Sequence, residues 1–173
     1  MADENPERPS ETVEPAAPAQ KERVFLVVVD ESEEMQNALR FACRRARNTQ
    51  GRVALLYVIE PAEFQHWLGV ERVMQDEARQ QAEQTLQTLA AKVQAETGKL
   101  PILHVREGRR RDELLAMIED DPSISLLVLG TATGREGPGP LVTYLVGQMG
   151  GQLRVPVTLV PGQLTPEEID EVT

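Results

Sequence analysis

Residues 24–29 read Val-Phe-Leu-Val-Val-Val, six apolar side chains in a row. A strand with one wet face alternates polar and apolar residues; an unbroken run needs cover on both faces. Such a strand belongs in the middle of a parallel sheet with helices above and below it, and the rest of the chain supplies both. Ser32-Glu33-Glu34 opens a helix whose apolar stripe is Met35, Ala38, Leu39, Ala42, Cys43 and Ala46, at three- and four-residue spacing. A second apolar run, 53–59, stops at Pro61. A long helix is predicted over 70–97, with Val70, Val73, Ala78, Ala82, Leu86, Leu89, Ala90 and Val93 inward and Gly98 ending it. Strands follow at 102–105, 124–129 and 155–160, separated by helices over 111–120 and 141–153. Every strand-to-strand connection carries a helix, so the pattern predicts one α/β domain with a five-stranded parallel open sheet and helices on both faces. Ligands in such sheets bind beyond the carboxyl ends of the strands, where the strand order reverses.

Charge marks the ends. The 173 residues carry 18 Lys and Arg against 28 Asp and Glu, a formal charge of −10. Residues 1–22 hold six acids and two bases, and residues 161–173 hold four acids and no base. The segment 1–22, with four prolines and almost no large apolar side chain, is expected to be a disordered acidic tail. Residues 161–173 read as a second acidic tail, with Pro166-Glu167-Glu168-Ile169 able to start a short helical turn. The domain proper is then 23–160. Its near-neutral balance and the six aromatic residues of the chain argue against a nucleic-acid surface. No apolar run is long enough to cross a bilayer and no signal peptide is visible. The single cysteine, Cys43, cannot form an internal disulfide, so the chain reads as cytoplasmic. Two histidines far from that cysteine offer no metal site.

Several chemistries are missing. The first strand-to-helix turn, Asp30-Glu31-Ser32-Glu33, has no glycine, so there is no dinucleotide fingerprint. No Gly-Lys-Ser/Thr gives a P-loop, and no Gly-x-Ser-x-Gly gives a hydrolase elbow. Two places remain. Asp30 at the end of the first strand is either a helix-capping residue or an acceptor for a ligand amine or hydroxyl. The loop from Gly130 to Pro140 contains Gly134, Gly137 and Gly139, and leads into a helix. Amides in such a loop can converge on an anion, although Pro138 and Pro140 supply no N–H and Glu136 would repel one. The basic cluster Arg109-Arg110-Arg111 reads as an anion contact or as a solvated first helical turn balanced by Asp112 and Glu113. His104 reads as a half-buried strand residue, Cys43 as core, and Trp67, beside His66, as an anchor for its loop.

The whole 23–160 segment resembles the universal stress protein family. The resemblance rests on Val27-Val28-Val29-Asp30-x-Ser32, Leu55-Leu56-Tyr57-Val58-Ile59, Leu127-Val128-Leu129-Gly130 and Val155-Pro156-Val157-Thr158-Leu159-Val160. It implies the adenine nucleotide alpha hydrolase-like fold with strand order 3-2-1-4-5, and a homodimer. In one branch it also implies ATP or AMP in the crevice between strands one and four. That branch carries Gly-x2-Gly-x9-Gly-Ser/Thr. Here Gly134-x2-Gly137-x9-Gly147 has the glycine spacing, with Gln148 where the family has Ser or Thr and with the loop lengthened after Gly130. Carried over by resemblance, Asp30 meets adenine or ribose, the Val58 backbone meets adenine, and Gly130, Gly134, Gly137, Gly147 and Gln148 border ribose and phosphates. The strand over 155–160 would lie at a sheet edge and pair with its copy. With no nucleophile, general base or metal pair in view, the expected function is a dimeric nucleotide-binding stress-response regulator with at most slow hydrolysis. The alternative is a dimeric interaction protein that has lost the nucleotide.

Overall fold

The computed structural model describes residues 22–61, 68–134, 137–149 and 151–173. The expectations for residues 1–21, His66 and Trp67 lie outside these. The elements are β1 (Val24–Val29), α1 (Glu34–Asn48), β2 (Arg52–Ile59), α2 (Leu68–Thr97), β3 (Ile102–Glu107), α3 (Arg110–Asp120), β4 (Ile124–Thr131), α4 (Pro140–Gln148), β5 (Val157–Pro161) and α5 (Pro166–Glu171). The five strands form one sheet in the order β3-β2-β1-β4-β5, and every pair is parallel.

The apolar run of β1 explains itself in this setting. Phe25, Val27 and Val29 enter a core shared with α1, α2 and α5. Val24, Leu26 and Val28 enter the opposite core, shared with α3 and α4. All six are at most 5% exposed, because the central strand has no wet face. The α1 stripe is buried in full. Cys43 lies within it, and burial pushes its thiol up to about 12, so it is an inert core group.

The long helix departs from expectation at its start. Ala82, Leu86, Leu89, Ala90 and Val93 are buried, but Val73 is 56% exposed. Length is the reason. A helix of 30 residues is about 45 Å long, whereas the neighbouring strands of six and eight residues reach only about 20–27 Å. The first turns of α2 therefore pass beyond the carboxyl edge of the sheet and have nothing to cover. Further along, α4 ends at Gln148 and not at 153, and β5 begins at Val157, one residue after Pro156. Pro156 lacks an N–H for the ladder, although its carbonyl accepts from the Leu127 amide at 3.0 Å.

The acidic C-terminal segment is not a loose tail. It turns back over α1 and ends in α5, which starts on a capping box: Thr165 accepts from the Glu168 amide, and the Glu168 carboxylate accepts from the Thr165 amide. Ile169 is fully buried in the α1 core. Asp170 receives paired bonds from Arg40 (2.9 and 2.8 Å) and from Arg44 (2.8 and 2.7 Å). The Asn37 amide is shared among the carbonyls of Pro161, Gly162 and Leu164. Of the four acidic residues with no base, Asp170 finds its counter-charges on α1, far away in sequence, while Glu167, Glu168 and Glu171 stay exposed. At the other end, Glu22 also belongs to the folded body, paired with Lys99 at 2.7 Å and Arg52 at 3.5 Å.

Candidate functional site

The strand order reverses at β1. Its neighbours are β2, reached by the first connection, and β4, reached by the third. On the β2 side the register runs to the last residue of β1, Val29↔Tyr57; on the β4 side it ends at Val27↔Val128. Beyond that pair the ends of β1 and β4 part. In open parallel sheets this is where a ligand crevice forms, here between α1 on one face and α3 and α4 on the other.

Asp30 follows β1 directly and is partly exposed at this edge. Its Oδ1 accepts from the Ser32 amide (2.9 Å) and the Ser32 hydroxyl (2.6 Å), and Ser32 Oγ in turn accepts from the Met35 amide (3.3 Å). The cap of α1 is thus supplied by Ser32, and Asp30 aims it. Among the described residues nothing bonds to Asp30 Oδ2. Val58 lies one residue beyond the last registered β1–β2 pair, with its side chain buried toward α3 and α4. Gly130 is on β4, opposite Val160 of β5. A Cβ there would collide with the backbone carbonyl of Glu34. This glycine is explained by the close seat of α1 on β4. Glu34 is held from the other side by Gly162, where a Cβ would come within 2.5 Å of Glu34 Cγ.

Gly134 and Gly137 lie in the loop after β4, where the Gly137 amide donates to the Gly134 carbonyl at 3.2 Å. Gly139 precedes α4 with φ +90, Pro140 opens the helix, and no side chain caps it. Gly147 and Gln148 are set apart from this group. They are the last two residues of α4, about 10–12 Å along the axis from its start, because the helix runs from the carboxyl edge back toward the start of β5. Nothing lies within 4 Å of a Cβ built on Gly147. The glycine spacing read from the sequence crosses a proline-opened helix, so its last member lies at the opposite end of α4 from Gly134 and Gly137.

The arginines separate as well. Arg110 turns to Glu60, at the end of β2: its amide donates to Glu60 Oε1 at 3.1 Å, and its guanidinium lies 3.5 Å from Oε2. Arg106 pairs with Asp120 at 2.9 Å and Glu113 at 3.6 Å. Arg111 donates to Asp112 at 3.0 Å and lies over the ring of Tyr144, 4.6 Å from its centroid. Tyr144 was not singled out by its sequence, because a contact between two helices leaves no local signal. His104 is half-buried on β3, and desolvation holds its imidazole below the ordinary value of 6.5. No cluster of three metal-ligating side chains exists among the described residues. Nor is any helix among them long and apolar enough to cross a membrane.

The sequence matches the universal stress protein family over residues 22–161. The chain belongs to this family. The match covers the sheet and its four crossover helices and stops before α5, so the C-terminal strap lies outside the family pattern. No curated protein matches the chain by sequence. Among solved structures, UspA of Lactobacillus plantarum is 20% identical with TM-score 0.69, over 83% of this chain and 99% of that one. A universal stress protein of Archaeoglobus fulgidus in complex with dAMP is 20% identical with TM-score 0.57, over 80% and 97%. A universal stress protein in complex with cAMP is 14% identical with TM-score 0.56, over 83% and 99%. At these identities the likeness is one of fold, and it agrees with the strand order found here.

Proposed function

We propose that this universal stress protein is a binding regulator that holds an adenine nucleotide, of the AMP or ATP type, where β1 and β4 part. The observation that carries this reading is the early end of the β1–β4 register below Asp30, beside the uncapped start of α4. In open parallel sheets ligands bind at such a point, here with the Asp30 carboxylate after β1 and the start of α4, which no side chain caps, after β4. The complexes of two structural neighbours with dAMP and cAMP support the ligand class. Asp30 Oδ2 and the Val58 backbone are the adenosine-end contacts. Gly130, Gly134 and Gly137 border the sugar and phosphate end. Gly147 and Gln148 drop out of the proposal because of where α4 carries them. Binding without rapid turnover is expected, since the crevice offers no evident nucleophile or general base.

The placement of Gly147 and Gln148 also favours a second reading, an interaction protein without nucleotide. Mass analysis of ligand released from protein purified without added nucleotide, followed by calorimetry with AMP and ATP, separates the two. An adenine nucleotide in the released fraction, or heat at up to millimolar ligand, supports the first reading; silence in both supports the second.

The molecule is further proposed to be a homodimer through β5. This strand is at the sheet edge, and Leu159 is 37% exposed. Pairing with its copy would cover an apolar edge by an isologous contact.

A further inference from the structure

The contact between Arg111 and Tyr144 has a position that gives it a task. Arg111 is the second residue of α3, and Tyr144 is one turn into α4. The two helices pack on the same face of the sheet, sharing a core through Leu114, Ile118, Val142 and Leu145. Both start at the carboxyl edge, α3 after β3 and α4 after β4, so the end of β1 lies between their first turns. The stacked pair therefore lies at the carboxyl edge, on the α3 and α4 side of the proposed crevice.

Stacking on an aromatic face fixes the plane of a guanidinium and leaves its in-plane N–H groups able to donate. Nε of Arg111 is taken by Asp112 at 3.0 Å. Among the described residues nothing bonds to its two terminal amino groups, which form the fork that matches a phosphate. The other arginines of the cluster are less suited. Arg110 is drawn to Glu60, and Arg109, exposed at the N-cap of α3, has no aromatic seat. The loop after β4 contains no lysine; its one cation, Arg135, lies outside the described residues, and Pro138 and Pro140 give it no amide at two positions. An anion entering the proposed crevice past the Asp30 carboxylate needs a cation, and among the described residues the aromatic seat belongs to Arg111.

We propose that Arg111, oriented by Tyr144, is the phosphate-recognising group of the crevice. A single fork, with Asp112 beside it and the Asp30 carboxylate at the end of β1, matches one phosphate better than a chain of three, so the preferred ligand class is a nucleoside monophosphate. This rests on the crevice reading given above and goes beyond it in naming the residue and the ligand class.

Calorimetry with adenosine, AMP and ATP on the full chain tests it. The wild type is expected to bind AMP at least tenfold more tightly than adenosine and no less tightly than ATP, about 1.4 kcal/mol per factor of ten. Arg111→Ala is expected to bring AMP down to the level of adenosine and to leave adenosine unchanged. Arg111→Lys, which keeps the charge and loses the fork, should recover only part of the difference. Tyr144→Leu should weaken AMP selectively, because the arginine loses its seat. Arg111 is exposed, and an unchanged melting temperature will show that its variants fold. If adenosine and AMP bind the wild type equally, or Arg111→Ala leaves their ratio as it was, the arginine assignment is overturned while the crevice stands. A threefold or greater preference for ATP over AMP overturns the monophosphate preference. If neither adenosine nor AMP binds, the crevice reading falls and this assignment with it.

Discussion

Two glycines that look alike in the sequence have opposite physical roles. Gly130 has the Glu34 carbonyl against the place where a side chain would stand; Gly147 has open space. Gly130→Ala must push α1 off β4, and a cost of about 2–3 kcal/mol is expected, as for overpacking in a dense interior. Gly147→Ala removes backbone entropy from the unfolded chain and supplies a good helix former. It should stabilise by about 0.5–1 kcal/mol. Paired thermal melts check both: a fall of several degrees for the first and a rise for the second. A nucleotide affinity unaltered by Gly147→Ala would agree with the distance of that residue from the crevice. Asp30 illustrates the same point. Its two sequence readings, cap and ligand acceptor, were presented as alternatives, but the carboxylate has two oxygens. Oδ1 serves the turn through Ser32, and Oδ2 is the oxygen that the proposed ligand would use. Asp30→Asn should keep much of the turn and lower affinity, while Asp30→Ala should also cost about 1 kcal/mol of stability through the weakened cap.

At the scale of elements, α5 is the main departure from expectation. Its composition is that of a solvated tail, and the family match ends before it, yet Ile169 is as buried as the centre of β1. Ile169→Ala is expected to cost about 3 kcal/mol, within the usual range for emptying a core site of a large aliphatic group. For a chain of this length that lowers the melting temperature by roughly 6–12 °C. A change below 2 °C would mean that α5 contributes no core. The strap also reaches the crevice indirectly. The Gly162 amide donates to the Thr131 carbonyl at 2.9 Å, and Asn37 ties α1 to the same turn. Hydrogen exchange in a chain ending at residue 161 should therefore rise at the start of α1 and at the end of β4, beyond the direct contacts of α5.

For the whole molecule, pH and assembly offer the tests. Asp170 is held below its ordinary 3.8 by the bonds from Arg40, with Arg44 adding to them. Glu22 is lowered by Lys99, and Asp121 by the Ser123 hydroxyl. Each contributes stability that is full above the unfolded value and is lost as pH falls through the folded one. His104 is lowered from 6.5 by burial, with Asp121 opposing and Arg106 assisting. The unfolded chain then takes up the proton first, so this contribution too is present above 6.5 and lost on acidification. All four shifts have the same sign. The melting temperature should be flat from about pH 6.5 to about pH 9, above which the Cys43 thiol ionises in the unfolded chain first, decline gently below pH 6.5, and fall more steeply below about pH 4. His104→Leu should remove the gentle limb and leave the steep one. For assembly, light scattering at micromolar concentration is expected to give a dimer, and Leu159→Lys on the exposed edge of β5 should shift it to monomer. A clean monomer in the wild type would end the dimer proposal.

The order of elements, the parallel sheet and its central strand were legible in the sequence because their signals are local and periodic. Six apolar residues at 24–29 can be satisfied only by cover on both faces, and the stripe from Met35 to Ala46 names the side of α1 that provides it. The resemblance to the family added the strand order. Tertiary structure decided the rest, and each case turns on groups far apart in the chain. Residues 161–173 read as an acidic tail, but Arg40 and Arg44, more than 120 positions away, hold Asp170 and help seat Ile169 on α1. Val73 looked like core because its periodicity continues that of Ala82 and Leu86, but periodicity cannot tell where the sheet beneath a helix ends. The spacing Gly134-x2-Gly137-x9-Gly147 counts residues along the chain, whereas a helix that runs away from the crevice turns nine intervening residues into distance. Arg111 and Tyr144 lie on different helices. Only the packing of α3 beside α4 brings a cation onto a ring.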